Sequence, residues 1–134
     1  MKYLLDTSTC IEFFNRRSEK LIERLTGALD SEVALASIVK AELLIGALKR
    51  PDRENTQRLE ETLFRRYASI PFDDSAAEHY ASIRYQLESI GRPIGANDLM
   101  IAATARSRGL VVVTKNRSEF DRVPDLIVED WTTA

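Results

Sequence analysis

The chain has 134 residues, long enough to close one hydrophobic core and too short for two independent ones. Apolar residues make up 44% and charged residues 30%, with only 5 Gly and 4 Pro, which excludes a fibrous, low-complexity or disordered chain. A formal charge of −2 lacks the basic surplus typical of nucleic-acid binders. Setting aside four acids as a cation site leaves 17 acids against 19 bases, a net of +2, so a polyanionic partner stays open.

The opening apolar stretch Tyr3 to Leu5 is cut by Asp6, too short for a secretory signal, and no window has transmembrane length. A single cysteine, Cys10, excludes an intramolecular disulfide and reads as a small packing residue, which suits a reducing cytoplasm. One domain over residues 1–134, with no membrane contact, is the expectation.

In chain order, Lys2 to Leu5 reads as a buried strand that feeds a helix through the capping turn Asp6-Thr7-Ser8. A second helix follows Ser18, with Leu21, Ile22, Leu25 and Leu29 at helical spacing, and Val33 to Ala36 reads as a strand. Ser37 is placed to cap a third helix from Ile38 to about Leu48, limited by Pro51. The charged run Arg53 to Arg66 carries Leu59, Leu63 and Phe64 on one stripe. Ser69 to Phe72 is a short strand, and Ser75 with Glu78 has the spacing of a capping box for a fifth helix that Gly91 ends. After the loop Gly91 to Gly95, a sixth helix runs from Ala96 to Arg108 and closes at Gly109. Leu110 to Val113 and Leu126 to Val128 complete the strands. Strands alternating with helices predict an α/β domain, a mostly parallel central sheet flanked by helices.

Three carboxylates enter from apolar elements. Asp6 follows the first strand directly, at the carboxyl edge where open α/β sheets place their ligand crevices, although an Asp there also caps the next helix. Glu42 lies on the face of Ile38 and Ile45 in a helix apolar nearly all round, which makes it a costly buried charge or else a partly solvated residue at the helix edge. Asp98 opens the run Leu99 to Ala103, where the helix dipole alone favours it by at most about 1 kcal/mol. Clustered carboxylates repel unless cations neutralise them, and oxygen ligands select Mg²⁺ or Mn²⁺. Glu119 is the chosen fourth acid, with Thr114 and Asn116 as neutral helpers, whereas Asp121 is expected to face solvent. Two ions about 4 Å apart can activate water against a phosphodiester.

Leu4-Leu5-Asp6-Thr7-Ser8, Glu42-Leu43, Asn97-Asp98-Leu99-Met100-Ile101-Ala102, Val113-Thr114-Lys115-Asn116 with Glu119-Phe120, and the closing Val123-Pro124 and Val128-Glu129-Asp130-Trp131 together resemble the PIN-domain ribonucleases, specifically the VapC toxins of bacterial toxin–antitoxin pairs. The resemblance spans essentially the whole chain. It implies a PIN-like three-layer sandwich and metal-site roles for Asp6, Glu42 and Asp98, with Thr7 or Ser8 as hydroxyl support. At Asn116 the chain departs from the aspartate of many PIN domains, and Glu119 stands as the compensating acid. The resemblance further implies cleavage of structured RNA, commonly a tRNA, a homodimer, and a VapB-like antitoxin that alone contacts operator DNA. Phe13, Phe14, Leu44 and Leu48 are candidate interface residues, and Arg84, Arg92, Lys115 and Arg117 are candidate phosphate contacts that read equally well as surface charge.

Three other readings compete. A receiver-type phosphoacceptor domain needs its Thr and Lys on separate strands, whereas Thr114 and Lys115 are adjacent. A haloacid-dehalogenase-type phosphatase needs an Asp where Ser8 stands, and a PIN domain kept only for protein interaction would have no need of the three acids. His79, the one histidine, has no evident partner, which disfavours both a Cys10–His79 pair and RNA cleavage through the 2′-hydroxyl.

Overall fold

In the computed structural model, residues 1–50 and 53–133 are described, Arg53 by its backbone alone. Five strands form one sheet in the order β3-β2-β1-β4-β5: β1 (Tyr3–Leu5), β2 (Val33–Ala36), β3 (Ala68–Ile70), β4 (Val111–Val113) and β5 (Val128–Glu129). Every neighbouring pair is parallel, with Leu4 level with Ala34 on one side and Val112 on the other. The sheet is thus wholly parallel where a mostly parallel one was expected. Parallel strands need crossover helices, and right-handed crossovers lay these on the sheet's faces, giving the three-layer α/β arrangement.

The helices are α1 (Thr7–Phe14), α2 (Glu19–Gly27), α3 (Ser37–Lys49), α4 (Arg53–Leu59), α5 (Asp74–Ser89), α6 (Ala96–Arg108) and α7 (Arg117–Phe120). Leu4, Leu5, Val112 and Val113 from the central strands meet Leu21, Leu25, Val39, Ile83, Ile101 and Phe120 from the helices in one fully buried core.

Strand order reverses at β1. The chain first builds outward through β2 and β3, then crosses back to lay β4 on the other side of β1. This switch opens a crevice between the carboxyl ends of β1 and β4, occupied by Asp6 and Thr114.

Several boundaries differ from the sequence reading for local reasons. Ser37 is the first residue of α3 rather than its cap, and its hydroxyl donates to the Ile70 carbonyl at 3.2 Å. Asp73, not Ser75, caps α5 by accepting from the Ala76 N–H at 2.9 Å, so no capping box forms with Glu78. Beyond α4 the charged run relaxes into a π-helical turn over Glu60–Phe64, where the Arg65 N–H reaches the Glu60 carbonyl, while Leu59 and Leu63 stay buried. The four-residue α7 was not foreseen. Pro51 lies outside the described residues. Gly91 and Gly109 adopt φ of 68° and 65° after α5 and α6, the left-handed conformation a helix stop requires.

Candidate active site

Asp6 caps α1, and the same geometry makes it a fixed acceptor. Its carboxylate receives the Thr9 N–H at 2.9 Å, the Ser8 hydroxyl at 2.9 and 3.0 Å, and the Thr114 hydroxyl. Thr114 is fully buried and accepts the Asn116 N–H at 2.8 Å, while Thr9 ties back to the Val113 carbonyl at 3.0 Å. Only 2% of Asp6 is exposed, and burial pushes its carboxyl above the usual range although the Thr114, Thr9 and Ser8 hydrogen bonds pull it down. The capping role and the position at the carboxyl edge of the sheet, both read from sequence, therefore hold at once.

Glu42 corrects part of the sequence argument. The helix α3 is not buried all round: Leu44, Ile45 and Leu48 are 39%, 50% and 79% exposed, and Glu42 itself is half-buried. What singles it out is a hydrogen bond of 2.7 Å from the Thr7 hydroxyl, which draws its carboxylate toward the start of α1.

Asp98, half-buried in the first turn of α6, has its carboxyl pushed up to about 7. Burial is the largest cause, followed by its hydrogen bond with Glu119 and then the charges of Glu119, Asp6 and Glu42. Asp98 thus feels the charge of each of the other three acids. Glu119 moves the opposite way, held low first by the proton it receives from Asp98, then by the Gly95 N–H, the Asn116 amide and the Arg122 charge. In effect one proton bridges Asp98 and Glu119.

Asn116 serves as an orienter: its amide Nδ2 donates to Glu119 at 3.0 Å and its Oδ1 accepts from the Ser118 hydroxyl at 3.2 Å. Asp121 is exposed and ion-paired with Arg117 at 3.3 Å, as expected of a solvent-facing residue.

Among the described residues no group of three or more His, Cys, Asp or Glu side chains stands ready to hold a metal ion. Two of the acids are closed onto each other by a proton and a third onto Thr7. The donor set is nevertheless all oxygen and electrostatically overcrowded, which suits a hard divalent cation taking the place of the shared proton.

The cationic candidates are mostly occupied. Lys115 reaches Glu12 at 2.9 Å, and both border a shallow depression with Ser8 and Asn116 beside Asp6. Arg84 is spent on Glu88 at 2.8 Å and the Tyr80 hydroxyl at 3.2 Å, although it lines a cleft with Ile94, Ala96 and Leu99 next to the Asp98 turn. Arg92 is exposed after α5.

His79, expected to lack a partner, accepts a 2.9 Å hydrogen bond from Arg106 Nε. Arg106 lies eight residues beyond Asp98, about 12 Å along α6, so His79 belongs to the far end of that helix. Cys10 is buried, its thiol pushed up by burial. Trp131 packs edge-on to Tyr3 at 4.8 Å, and Tyr80 edge-on to Phe72 at 5.8 Å. Sequence reasoning missed Glu12 and Arg122; the latter lies between the Glu119-Phe120 and Val123-Pro124 stretches.

The small, wholly parallel α/β domain, with Asp6 and Thr114 at its switch point, matches a family model described as "PIN domain" over residues 3–126. The chain is 40% identical over 131 residues to "tRNA(fMet)-specific endonuclease VapC" from Salmonella typhimurium, covering 98% of each, and 36% identical over 132 residues to "Ribonuclease VapC2" from Rickettsia felis, again covering 98% of each. Among solved structures it resembles the Rickettsia felis VapBC2 complex bound to a promoter DNA fragment, with a TM-score of 0.89, 35% identity and coverage of 98% and 99%. The DNA-bound VapBC of Salmonella typhimurium gives a TM-score of 0.87 at 38% identity, covering 98% of each chain. This chain belongs to the PIN-domain family, in its VapC branch.

Proposed function

We propose that this protein is the toxin of a VapBC-type pair, a Mg²⁺- or Mn²⁺-dependent endoribonuclease that hydrolyses structured RNA in the cytoplasm, with tRNA as its substrate. The observation that carries the reading is Asp98, whose carboxyl is pushed up to about 7 first by burial and then by its hydrogen bond with Glu119 and the charges of Glu119, Asp6 and Glu42. The bound cations would supply charge neutralisation at the phosphodiester and a lowered pKa for the attacking water. Asp6 contributes a carboxylate fixed by three donors, so little reorganisation accompanies binding. Glu42 and Glu119 approach from α3 and α7, each oriented by a neighbouring Thr or Asn. Asp98 would join them as a fourth carboxylate once free of its proton.

The partner assignment rests on the VapBC relatives and on the α3 surface. On α3, Leu44, Ile45 and Leu48 are exposed, and the same helix contributes Glu42, Leu43 and Ala47 to a groove also lined by Ile11 and Phe14. An antitoxin segment laid there would cover Glu42, with a homodimer of the toxin as the assembled unit and operator DNA bound through the antitoxin.

Sequencing the ends of tRNA cut by the purified protein tests the chemistry. Water-mediated hydrolysis leaves a 5′-phosphate and a 3′-hydroxyl. A dominant 2′,3′-cyclic phosphate on the upstream fragment, or full cleavage in excess EDTA with metal confirmed absent, would overturn it.

A further inference from the structure

Among the described residues, Arg122 Nε and the Tyr67 hydroxyl are the buried side-chain polar atoms without a hydrogen-bond partner. A guanidinium held at the cost of an unpaired donor calls for a reason, and its other contacts supply one. Arg122 Nη1 donates to the Pro93 carbonyl at 2.9 Å. Its own N–H donates to the Glu119 carbonyl at 3.1 Å, which places the residue one turn beyond that acid.

Pro93 belongs to the loop that feeds α6, and Glu119 to α7, so Arg122 joins the two segments that carry Asp98 and Glu119. The same pair of segments is joined once more where the Gly95 N–H meets the Glu119 carboxylate. Asp98 begins one turn after Gly95, and the Leu99 N–H closes on the Gly95 carbonyl at 2.9 Å. A slip of loop 91–95 would therefore move both the donor on Glu119 and the start of the helix that presents Asp98.

We infer that Arg122 is a positioning residue, a strap from α7 to loop 91–95 that holds Asp98 and Glu119 together as one half of the cation site. The inference rests on the metal-site reading proposed above. Arg122 touches neither ion nor substrate; it acts through the two acids.

The length of the side chain is what makes the strap. The contact uses the sixth heavy atom from the Cα. Gln ends at the fourth and Met has no donor, so both break it, whereas Lys carries an N–H donor at the fifth and keeps the charge. The test is Mn²⁺ binding by calorimetry at pH 8 on the purified protein and on Arg122→Met, Arg122→Gln and Arg122→Lys, with folding checked by thermal melts in EDTA. Loss of an outer support typically weakens metal affinity 10–100-fold. Met and Gln should each lose roughly tenfold, and Lys should stay within about threefold of the parent. The Mn²⁺ concentration for half-maximal cleavage should rise in step, with the maximal rate moving less. A folded Met or Gln variant that binds Mn²⁺ within about twofold of the parent overturns the strap alone, as does a Lys variant that loses as much as the other two. If the parent itself binds no Mn²⁺, the metal-site reading fails and the strap falls with it.

Discussion

The proton shared by Asp98 and Glu119 should compete with the metal, and the competition can be read from pH. Asp98 holds its proton up to about pH 7, so an ion that needs both carboxylates must displace it. The fraction of sites free of that proton falls from about 90% at pH 8 to about 3% at pH 5.5, which predicts a loss of about 30-fold in apparent Mn²⁺ affinity. Below pH 6 the slope should approach one decade per pH unit, with about one proton released per binding event. The sign for stability is opposite in the metal-free protein. The folded value of Asp98 lies above its ordinary 3.8, so the native state holds the extra proton between about pH 4 and 7. That contribution is complete below about pH 4 and is lost as pH rises through 7. Glu119 is shifted the other way, but its contribution changes only below its ordinary 4.5. The gap in Tm between Mn²⁺ and EDTA samples should therefore widen steadily from pH 5.5 to 8. Calorimetry in two buffers of different ionisation heat counts the protons. An affinity that stays flat between pH 6 and 8 would refute the shared-proton account.

Asp6→Asn, Glu42→Gln and Asp98→Asn should each reduce cleavage of tRNA to near background while the protein remains folded, whereas Glu119→Gln should lose less; full activity in any of the first three would remove that acid from the site. His79→Ala should retain substantial activity because its ring is engaged by Arg106 at the other end of α6, and an inactive but folded variant would return histidine to the mechanism. Thr114→Val strips a donor from buried Asp6 and an acceptor from the Asn116 N–H, for an expected loss of about 2–4 kcal/mol in urea unfolding with EDTA present. A change under about 0.5 kcal/mol would mean that the hydroxyl is dispensable.

The elements legible in the sequence were those with an unbroken local signal. The apolar runs of β1, β2 and β4 and the long stretch from Ala96 to Arg108 stand nearly where the pattern puts them, because burial on the sheet demands continuous apolar residues. Asp6 and Asp98 were legible for the same reason, as carboxylates at the ends of such runs. What local pattern failed to give was decided by contacts distant in the chain. Ser37 left its capping position for the Ile70 carbonyl. The apolar residues of α3 that argued for a buried Glu42 are largely on the surface, and Glu42 gains its place from Thr7, 35 residues away. Arg122 carries no periodic signal at all; only the closure of loop 91–95 onto α7 gives it a partner.

The four acids can be kept together without ions because each has a separate means of offsetting its charge. Asp6 is satisfied by hydroxyls and a helix N-terminus, Glu42 by Thr7, Glu119 by the Asp98 proton and then by Gly95, Asn116 and the Arg122 charge, and Asp98 by remaining protonated. A neutral donor fixes a carboxylate in direction yet leaves its charge in place, so on the proposed reading Asp6 and Glu42 would remain available to a cation. A salt bridge would have cancelled the charge that the cation needs. Of the nearby cations, Lys115 is directed to Glu12 and Arg117 to Asp121, while Arg122, hydrogen-bonded to a backbone carbonyl, still helps hold Glu119 low by its charge. On the proposed reading, the hydroxyl-bearing residues Thr7, Ser8 and Thr114 would let the metal-free fold hold these acids while leaving their charge to a divalent ion.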